Sequence, residues 1–479
     1  MTIGSYTPEE AISSIATALA PAALGIVRAS GKNCIEYVSK IFSRPQALLK
    51  AAGNTLVYGW IIDPSVEGKK EKRIDETMLA VYRAPKSFTG EDMVEIFCHG
   101  GPAVVTAIQN LMLKNGFRQA LKGEYTFRAY INGKTDLTKA EAVKEIIDSH
   151  TDAGRSRAVG RLSGSLFEEI DSIKKLIIHT LASIEVEIEY PEDEETIADS
   201  FDRTEILEAR DRLQSLADSW KGEKLYQDGA RVVLAGRTNA GKSSLFNAIL
   251  KEERAIVSDI EGTTRDWLES WASINGIPVR LFDTAGLRET QDVIEAQGVE
   301  LSRNLAKDAD LVLYLIDSSS EASREDIDFI QKCREPLIIV WTKSDKQEGR
   351  SLSLASAGQP SSATLSAGTP RNAPLLQVSI SSKTGSGMPL LFAHISKILT
   401  SGLSTDREQA GLGSARQRDS VAEALENVKH ALISADDNYT LDAVVQDLEE
   451  ALDCLAEVTG AVTPDDVLGS IFANFCVGK

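Results

Sequence analysis

The spacing of apolar side chains changes character along the chain, and each change predicts a different kind of structure. As far as about residue 133, short apolar runs at 24–27, 55–62 and 78–82 alternate with Gly and Pro punctuation, which predicts a mixed α/β region. From Leu137 the apolar residues recur at helical spacing: Leu137, Ala140, Val143 and Ile147, later Leu162 and Leu166, then Ile206, Leu213 and Leu216. A second helical stretch starts near Arg416 and puts Val421, Leu425, Val428 and Leu432, then Leu441, Val444, Leu448, Leu452 and Leu455 on one stripe. Between the helical stretches lie five apolar strand candidates, 231–235, 279–282, 311–316, 337–341 and 376–380, separated by helical segments. That rhythm predicts a doubly wound parallel sheet.

The two ends of a compact domain often lie close together, so an α/β unit flanked by helices reads as a domain inserted into a helical one. The expected architecture is therefore α/β plus α. An N-terminal α/β domain occupies 1–133, a discontinuous helical domain 134–226 and 402–479, and an inserted α/β domain 227–401. The length of 479 residues agrees with about three domains at roughly 150 residues each. Residues 350–374, rich in Ser, Ala, Gly and Pro, read as a disordered surface insertion without chemistry. The acidic run 185–195 reads as a solvated helix end broken by Pro191, the alternative being a docking site for a basic partner.

Charge narrows the choice of partners. Lys and Arg number 52 against 71 Asp and Glu, a net charge of −19, so the surface as a whole repels phosphate backbones and anionic membranes. Contact with nucleic acid has to be local or borrowed from a partner. The longest uncharged run, 11–27, contains Pro21 and falls short of the roughly 20 residues of a spanning helix, so no membrane segment is expected. The acidic start argues against a signal peptide, and the scattered Cys34, Cys98, Cys333, Cys454 and Cys476 form no Cys-x-x-Cys pair. A reducing compartment, the cytoplasm, is the expected location. His99 beside Cys98 lacks the second ligand pair that a zinc site needs.

The chemistry begins at Gly236-Arg-Thr-Asn-Ala-Gly241-Lys242-Ser243, which follows an apolar strand and opens a helical run. That context identifies a phosphate-binding loop. Glycines let backbone N–H groups turn toward a β-phosphate, the helix N-terminus adds positive potential, Lys242 reaches the β and γ oxygens, and Ser243 ligates Mg²⁺. Asp283-Thr-Ala-Gly286 ends a second strand and offers a carboxylate near the metal and a glycine N–H near a γ-phosphate. Thr342-Lys343-Ser344-Asp345 ends a third, where Asp345 can accept the N1–H and exocyclic amine of guanine. Adenine has no such donor pair, and leaving a buried carboxylate unpaired discriminates by about 10⁴; the expected ligand is GTP. Ser381-Ser382-Lys383 completes the guanine pocket.

The order of these strings resembles the translation-factor-related GTPases. It departs in two places, with Thr342 where that group usually has Asn and Ser382 where it has Ala. A threonine keeps a hydroxyl, so the expected effect falls on guanine affinity more than on specificity. The resemblance implies nucleotide contacts from Asn239, Ala240, Gly241, Lys242, Ser243 and Ser244, from Ser258, Thr263 and Thr264, and from Asp283, Gly286, Thr342, Lys343, Asp345, Ser381, Ser382 and Lys383. In Gly262-Thr263-Thr264-Arg265-Asp266, Thr264 would join Ser243 on Mg²⁺. No glutamine follows Gly286 to orient water. Asn239 instead resembles the potassium-ligating asparagine of GTPases that use a monovalent cation in place of an arginine finger. The carbonyls of Ser258 and Ile260 and the side chain of Thr263 would complete the cation's shell, and Glu295 would orient the water. A loop-capping amide at Asn239 and an exposed helical acid at Glu295 are the plainer alternatives.

The last residues, ending Cys476-Val477-Gly478-Lys479, resemble the terminal Cys-x-Gly-Lys of the MnmE (TrmE) family of tRNA modification GTPases, and the likeness runs over nearly the whole chain. Ser87-Phe-Thr-Gly-Glu91-Asp92-Met-Val-Glu95 and Gly123-Glu-Tyr-Thr-Phe-Arg128-Ala-Tyr-Ile-Asn132-Gly-Lys134 are similar to that family's folate-binding module. The resemblance implies a homodimer that binds 5-formyl- or 5,10-methylene-tetrahydrofolate. It also implies a heterotetramer with the FAD-containing protein MnmG (GidA), which holds most of the tRNA. Together they would add a carboxymethylaminomethyl or aminomethyl group to carbon 5 of the wobble uridine. Arg28, Glu95, Lys134 and Lys479 fall on the family's folate-contacting positions; a carboxylate such as Glu95 suits a pterin edge, and cations suit the glutamate tail. Cys476 reads equally as a catalytic thiolate with Lys479 beside it or as a packing group. The competing reading is a regulatory or ribosome-assembly GTPase switch without modification chemistry.

Overall fold

The computed structural model describes residues 10–64, 72–189, 202–252, 268–283, 307–346, 376–401, 410–436 and 440–478. They fall into two units, Met1–Lys144 with Gly160–Ala217 and Gly413–Lys479, and Glu145–Val159 with Asp218–Leu412.

In the first unit the elements run β1 (Ile12–Ile15), β2 (Ala22–Ser30), α1 (Cys34–Ser39), α2 (Pro45–Leu49), β3 (Thr55–Asp63), β4 (Lys72–Tyr82), β5 (Met93–Gly100), α3 (Pro102–Lys114), β6 (Arg118–Gln119) and α4 (Glu124–Ile131). The six strands form one sheet, ordered β3-β4-β5-β2-β1-β6. Side chains alternate across a strand. Val57 and Ile61, Leu79 and Val81, Val94 and Ile96, and Val27 and Ala29 therefore point one way, into a core with Cys34, Ile35, Val38, Ile108, Leu111 and Met112 of α1 and α3. The intervening positions make the other face, where register aligns Tyr58, Met78, Phe97 and Ile26 in one row and Ala80, Glu95 and Arg28 in the next.

Helix α4 is buried almost all round, with Glu124, Tyr125, Thr126, Phe127, Arg128 and Ala129 inside, so its charges need internal partners. Arg128 is fully buried and bonds Glu124 at 2.9 Å, Glu91 at 2.9 Å and the Glu10 carbonyl at 3.0 Å. Burial by itself pushes the Glu124 carboxyl up, but hydrogen bonds from Arg118, the Leu121 N–H and Arg128 outweigh it and hold it below its ordinary range.

Helices α5 (Leu137–Asp148), α6 (Asp152–Ser163), α7 (Ser165–Glu189) and α8 (Thr204–Asp228) follow. Near the end of α6 it is Arg161 that is buried and Leu162 that is exposed; the break at Gly164, φ +110°, ends the apolar stripe before α7 takes it up with the buried Leu166 and Ile170. The acidic run from Glu185 continues past α7 into residues outside those described.

The second unit holds β7 (Ala230–Gly236), α9 (Lys242–Glu252), β8 (Leu268–Ile274), β9 (Ile277–Asp283), β10 (Leu311–Asp317), α10 (Arg324–Lys332), β11 (Leu337–Thr342), β12 (Leu376–Ser379) and α11 (Met388–Leu399). The sheet order is β12-β11-β10-β7-β9-β8, all parallel apart from the β8–β9 hairpin. All five strand candidates are strands of this doubly wound sheet. The insertion 350–374 lies outside the described residues.

The chain closes with α12 (Ala415–Asp436), α13 (Leu441–Thr459) and α14 (Asp465–Ala473) in the first unit. Their stripe is buried at Val421, Leu425 and Val428 and at Val444, Leu448 and Leu455. Phe472 packs on Phe127 with ring centroids 5.3 Å apart, and Gly123, φ +67°, has no room for a side chain because a Cβ would lie 2.7 Å from the Phe472 carbonyl. This packing brings the C-terminal tail back to the sheet. Among the described residues no helix is long and apolar enough to cross a membrane.

The charge network around α4 yields a stability prediction. Arg128→Leu leaves Glu124 and Glu91 without their common partner and should cost about 3–5 kcal/mol in the first unit, read from its urea unfolding midpoint. Adding Glu91→Gln and Glu124→Gln should restore part of that loss; no loss in the single variant would show that the network contributes nothing.

Candidate functional site

Parallel register places the chemistry of the second unit at one edge. Gly236 pairs with Leu315, Asp283 with Leu234, Thr342 with Asp317 and Ser379 with Trp341, so five strands end side by side. In open α/β sheets ligands bind outside these carboxyl ends, where the chain reverses direction across the sheet. Here β9 lies on one side of β7 and β10 on the other. Gly236 is required at the start of the loop: it has φ +138°, and a Cβ would sit 2.4 Å from the Leu315 carbonyl.

The loop turns into α9 through Asn239, which is exposed with φ +61°, then the buried Ala240 and the half-buried Gly241. Lys242 is buried, and its Nζ donates to the Gly236 and Arg237 carbonyls at 2.8 and 2.9 Å, aiming the ammonium into the loop. Ser243 Oγ donates to Asp283 Oδ2 at 2.9 Å. Two hard oxygen donors in this position fit Mg²⁺, which takes few protein ligands beside phosphate and water. Ser244 follows on the first turn of α9, exposed.

The residues expected to contact guanine stand on β11 and in the turn after β12. Lys343, φ +56°, sends Nζ to the Asn239 carbonyl at 2.9 Å and to Asp317 Oδ2 at 2.6 Å. Burial would raise the Asp317 carboxyl, yet the bonds from Lys343 and Ser319 prevail and hold it at about 2. Ser381 Oγ donates to Asp345 Oδ1 at 2.7 Å and keeps that carboxyl below its ordinary range. Asp345 is exposed rather than buried, a correction to the sequence expectation: the turn after β11 carries it beyond the sheet edge. Ser382 and Lys383 lie in the turn that Ser381 opens, where Gly385 N donates to the Ser381 carbonyl at 2.9 Å. Ser258, Ile260, Thr263, Thr264, Gly286 and Glu295 lie outside the described residues, as does Lys479.

A second polar centre stands on the open face of the first unit's sheet. Arg28 Nε and Nη2 donate to Glu95 Oε1 at 2.8 and 2.7 Å, and Arg28 Nη1 donates to the Gly478 carbonyl at 3.0 Å. Phe88 and Tyr125 lie against the guanidinium, 5.8 and 5.6 Å from ring centre to Cζ. Tyr82 Oη donates to Glu95 Oε2 at 3.4 Å, and burial together with that carboxylate pushes the phenol up. The structure thus brings Arg28 and Glu95 together with the tail, through the Lys122–Val477 bridge and the bond from Gly123 N to the Cys476 carbonyl. Lys134 is exposed with Nζ on the Pro85 carbonyl at 3.1 Å, on the loop that carries Phe88. Cys476 is exposed. His99 pairs with Asp75 at 2.8 Å, and among the described residues no group of three His, Cys, Asp or Glu could hold a metal.

The sequence pattern described as the MnmE helical domain matches residues 137–476, and that of the GTP-binding protein TrmE N-terminus matches residues 11–134. The tRNA modification GTPase MnmE of Treponema denticola is 50% identical over 493 residues, covering 100% of both chains. The chain belongs to the MnmE family. Relatives of the same name from Treponema pallidum and Borrelia turicatae are 43% and 40% identical, each with 99% of both chains covered.

Some residues of this MnmE-family chain escaped the sequence analysis. Asp317, which ends β10 and fixes Lys343, left a trace as the acid closing an apolar run. Tyr82 and Phe88 are near neighbours in sequence but lie far from Arg28 and from Tyr125, and only the sheet and α4 bring them together around Arg28 and Glu95.

The Lys343–Asp317 pair generates a pH prediction. A carboxyl held down by folding contributes stability above its unfolded value, and loses it as the pH falls toward the folded one. The second unit should therefore weaken between about pH 4 and pH 2, and Asp317→Asn should flatten that part of its thermal-stability profile. An unchanged slope would show that the pair is not coupled to folding.

Proposed function

We propose that this chain is a potassium-dependent GTPase. Acting as a homodimer with the FAD-containing MnmG, it would install a carboxymethylaminomethyl or aminomethyl group at carbon 5 of the wobble uridine of tRNA. The coarse activity, GTP hydrolysis in tRNA modification, follows from family membership. The observation that carries it is the convergence of Lys242, Ser243, Asp283, Lys343 and Asp345 at the ends of adjacent parallel strands. Three modules divide the work: the folate-binding 1–133, the helical 134–226 with 402–479, and the GTPase 227–401.

Lys242 and the loop amides bind the β- and γ-phosphates, and Asp345, held by Ser381, orients the base. Ser243, Asp283 and Thr264 would hold Mg²⁺, which neutralises phosphate charge. Asn239, with Thr263 and the carbonyls of Ser258 and Ile260, would hold K⁺, which supplies positive charge where the transition state needs it. Glu295 would position the attacking water. The exposed, left-handed placement of Asn239 supports this by leaving its amide clear of the loop's own hydrogen bonding.

For the folate, Glu95 Oε2, which takes only the 3.4 Å contact from Tyr82, can accept from a pterin N–H edge while Arg28 occupies Oε1, and Phe88, 42% exposed, adds flat apolar surface beside the pair with the buried Tyr125 behind it. Arg28 is already committed to Glu95 and Gly478, so the anionic tail falls to Lys134 and Lys479. Cys476, exposed beside this centre, is the candidate thiol. Support for the homodimer comes from the same face: Leu24, Leu56, Tyr58 and Met78 are 63, 60, 51 and 43% exposed, an apolar strip of the kind that marks an interface. The net charge of −19 favours tRNA held mainly by MnmG, in the cytoplasm.

GTP turnover should fall about tenfold or more when Na⁺ replaces K⁺, and Lys242→Ala should lose turnover in both. Equal rates in the two salts would remove Asn239 from its role. Mass spectrometry of wobble uridines from a deletion strain should show the modification missing, and its persistence would favour the regulatory-switch reading.

A further inference from the structure

Thr342 ends β11 directly beneath the phosphate-binding loop. It is 2% exposed, and a Cβ added to Gly241 would lie 3.5 Å from the Thr342 Cβ. The Thr342 hydroxyl has two oxygen neighbours, the Ala240 carbonyl at 2.7 Å and the Ile316 carbonyl at 3.3 Å. Both can only accept. A hydroxyl carries one proton, so that proton is spent on the protein's own backbone, and on the shorter contact it ties the loop to the sheet. The asparagine usual here has two N–H donors on a longer side chain; one can hold the loop while the other reaches an acceptor on the base.

The purine presents two edges. Asp345, fixed by Ser381, accepts from the N1–H and the exocyclic amine. The imidazole edge offers only the N7 acceptor, which needs a donor. We infer that Thr342 serves this chain as a tether of the phosphate-binding loop and gives up the reading of N7, so that the base is held on the side of its N1–H and amine and not at N7. The site then accepts purine nucleotides altered at position 7, a tolerance that the asparagine-bearing pattern does not share. This inference rests on the guanine reading of the pocket.

The test compares GTP with 7-deaza-GTP, which keeps the edge facing Asp345 and replaces N7 by C–H, in equilibrium binding to the full-length protein. The unaltered chain should bind the two within about twofold of each other. Thr342→Asn should create a preference for GTP of about fivefold, the value of one ordinary hydrogen bond. Thr342→Val, which removes the tether without adding a donor, should weaken both nucleotides and leave their ratio near one. A preference for GTP of about fivefold or more in the unaltered chain, or a ratio that Thr342→Asn leaves unchanged, would overturn the assignment. Binding of neither nucleotide would overturn the guanine pocket and this inference together.

Discussion

The nucleotide chemistry of the second unit depends on the hydrogen-bond register of a parallel sheet. Parallel strands cannot slip by one residue without turning every side chain to the opposite face, and here both faces are packed, with Val232 and Leu234 in one core and Val233 and Ala235 in the other. That constraint fixes where β7, β9, β10 and β11 stop. It sets Asp283 against Ser243, and it brings Asp317 to Lys343. The polar residues contribute little to holding the sheet together; the apolar layers hold it, and the polar ends are placed as a result.

The first unit solves a different problem. Its sheet has one face covered by α1 and α3 and one open, and the open face carries both an apolar row and the Arg28–Glu95 pair. Placing a charged pair beside exposed apolar side chains is unfavourable for an isolated folded chain, and the compensation is local. Gly478 and Glu95 share the Arg28 guanidinium, two aromatic rings flank it, and Tyr125 donates to the Arg28 carbonyl at 2.8 Å. Behind it, Arg128 gathers the carboxylates of Glu91 and Glu124. A buried arginine with several acceptors is weak as a source of stability but demanding as to geometry, and this geometry fixes the loop that carries Phe88 and the N-terminus of α4 that carries Tyr125.

The described part of the candidate nucleotide site could be placed from the sequence because its motifs are contiguous: a glycine-bearing loop, an acid at a strand end and a short string after the next strand each announce their position. The helical stripe of α12 and α13 was legible for the same reason, since period and burial coincide at Val421, Leu425, Val444 and Leu448. The reading went astray where burial depended on what lies outside the element. Leu162 fits the helical period yet is exposed, Arg161 is buried in its place, and Asp345 sits at the surface because a turn, not a strand, carries it.

By itself the sequence determined the doubly wound sheet, the place of the candidate phosphate-binding groups at its strand ends and, through its motifs, the likeness to the family, because a glycine or a lysine declares its local spacing and backbone chemistry at its own position. Only the tertiary structure decided that Arg28 is committed to Glu95 and to the tail's Gly478, that Asp317 anchors Lys343, and that the Thr342 hydroxyl is spent on the Ala240 carbonyl. Each of these joins residues tens to hundreds of positions apart. A single proton or lone pair goes to whichever partner folding brings within about 3 Å, and the order of residues along the chain does not contain that distance.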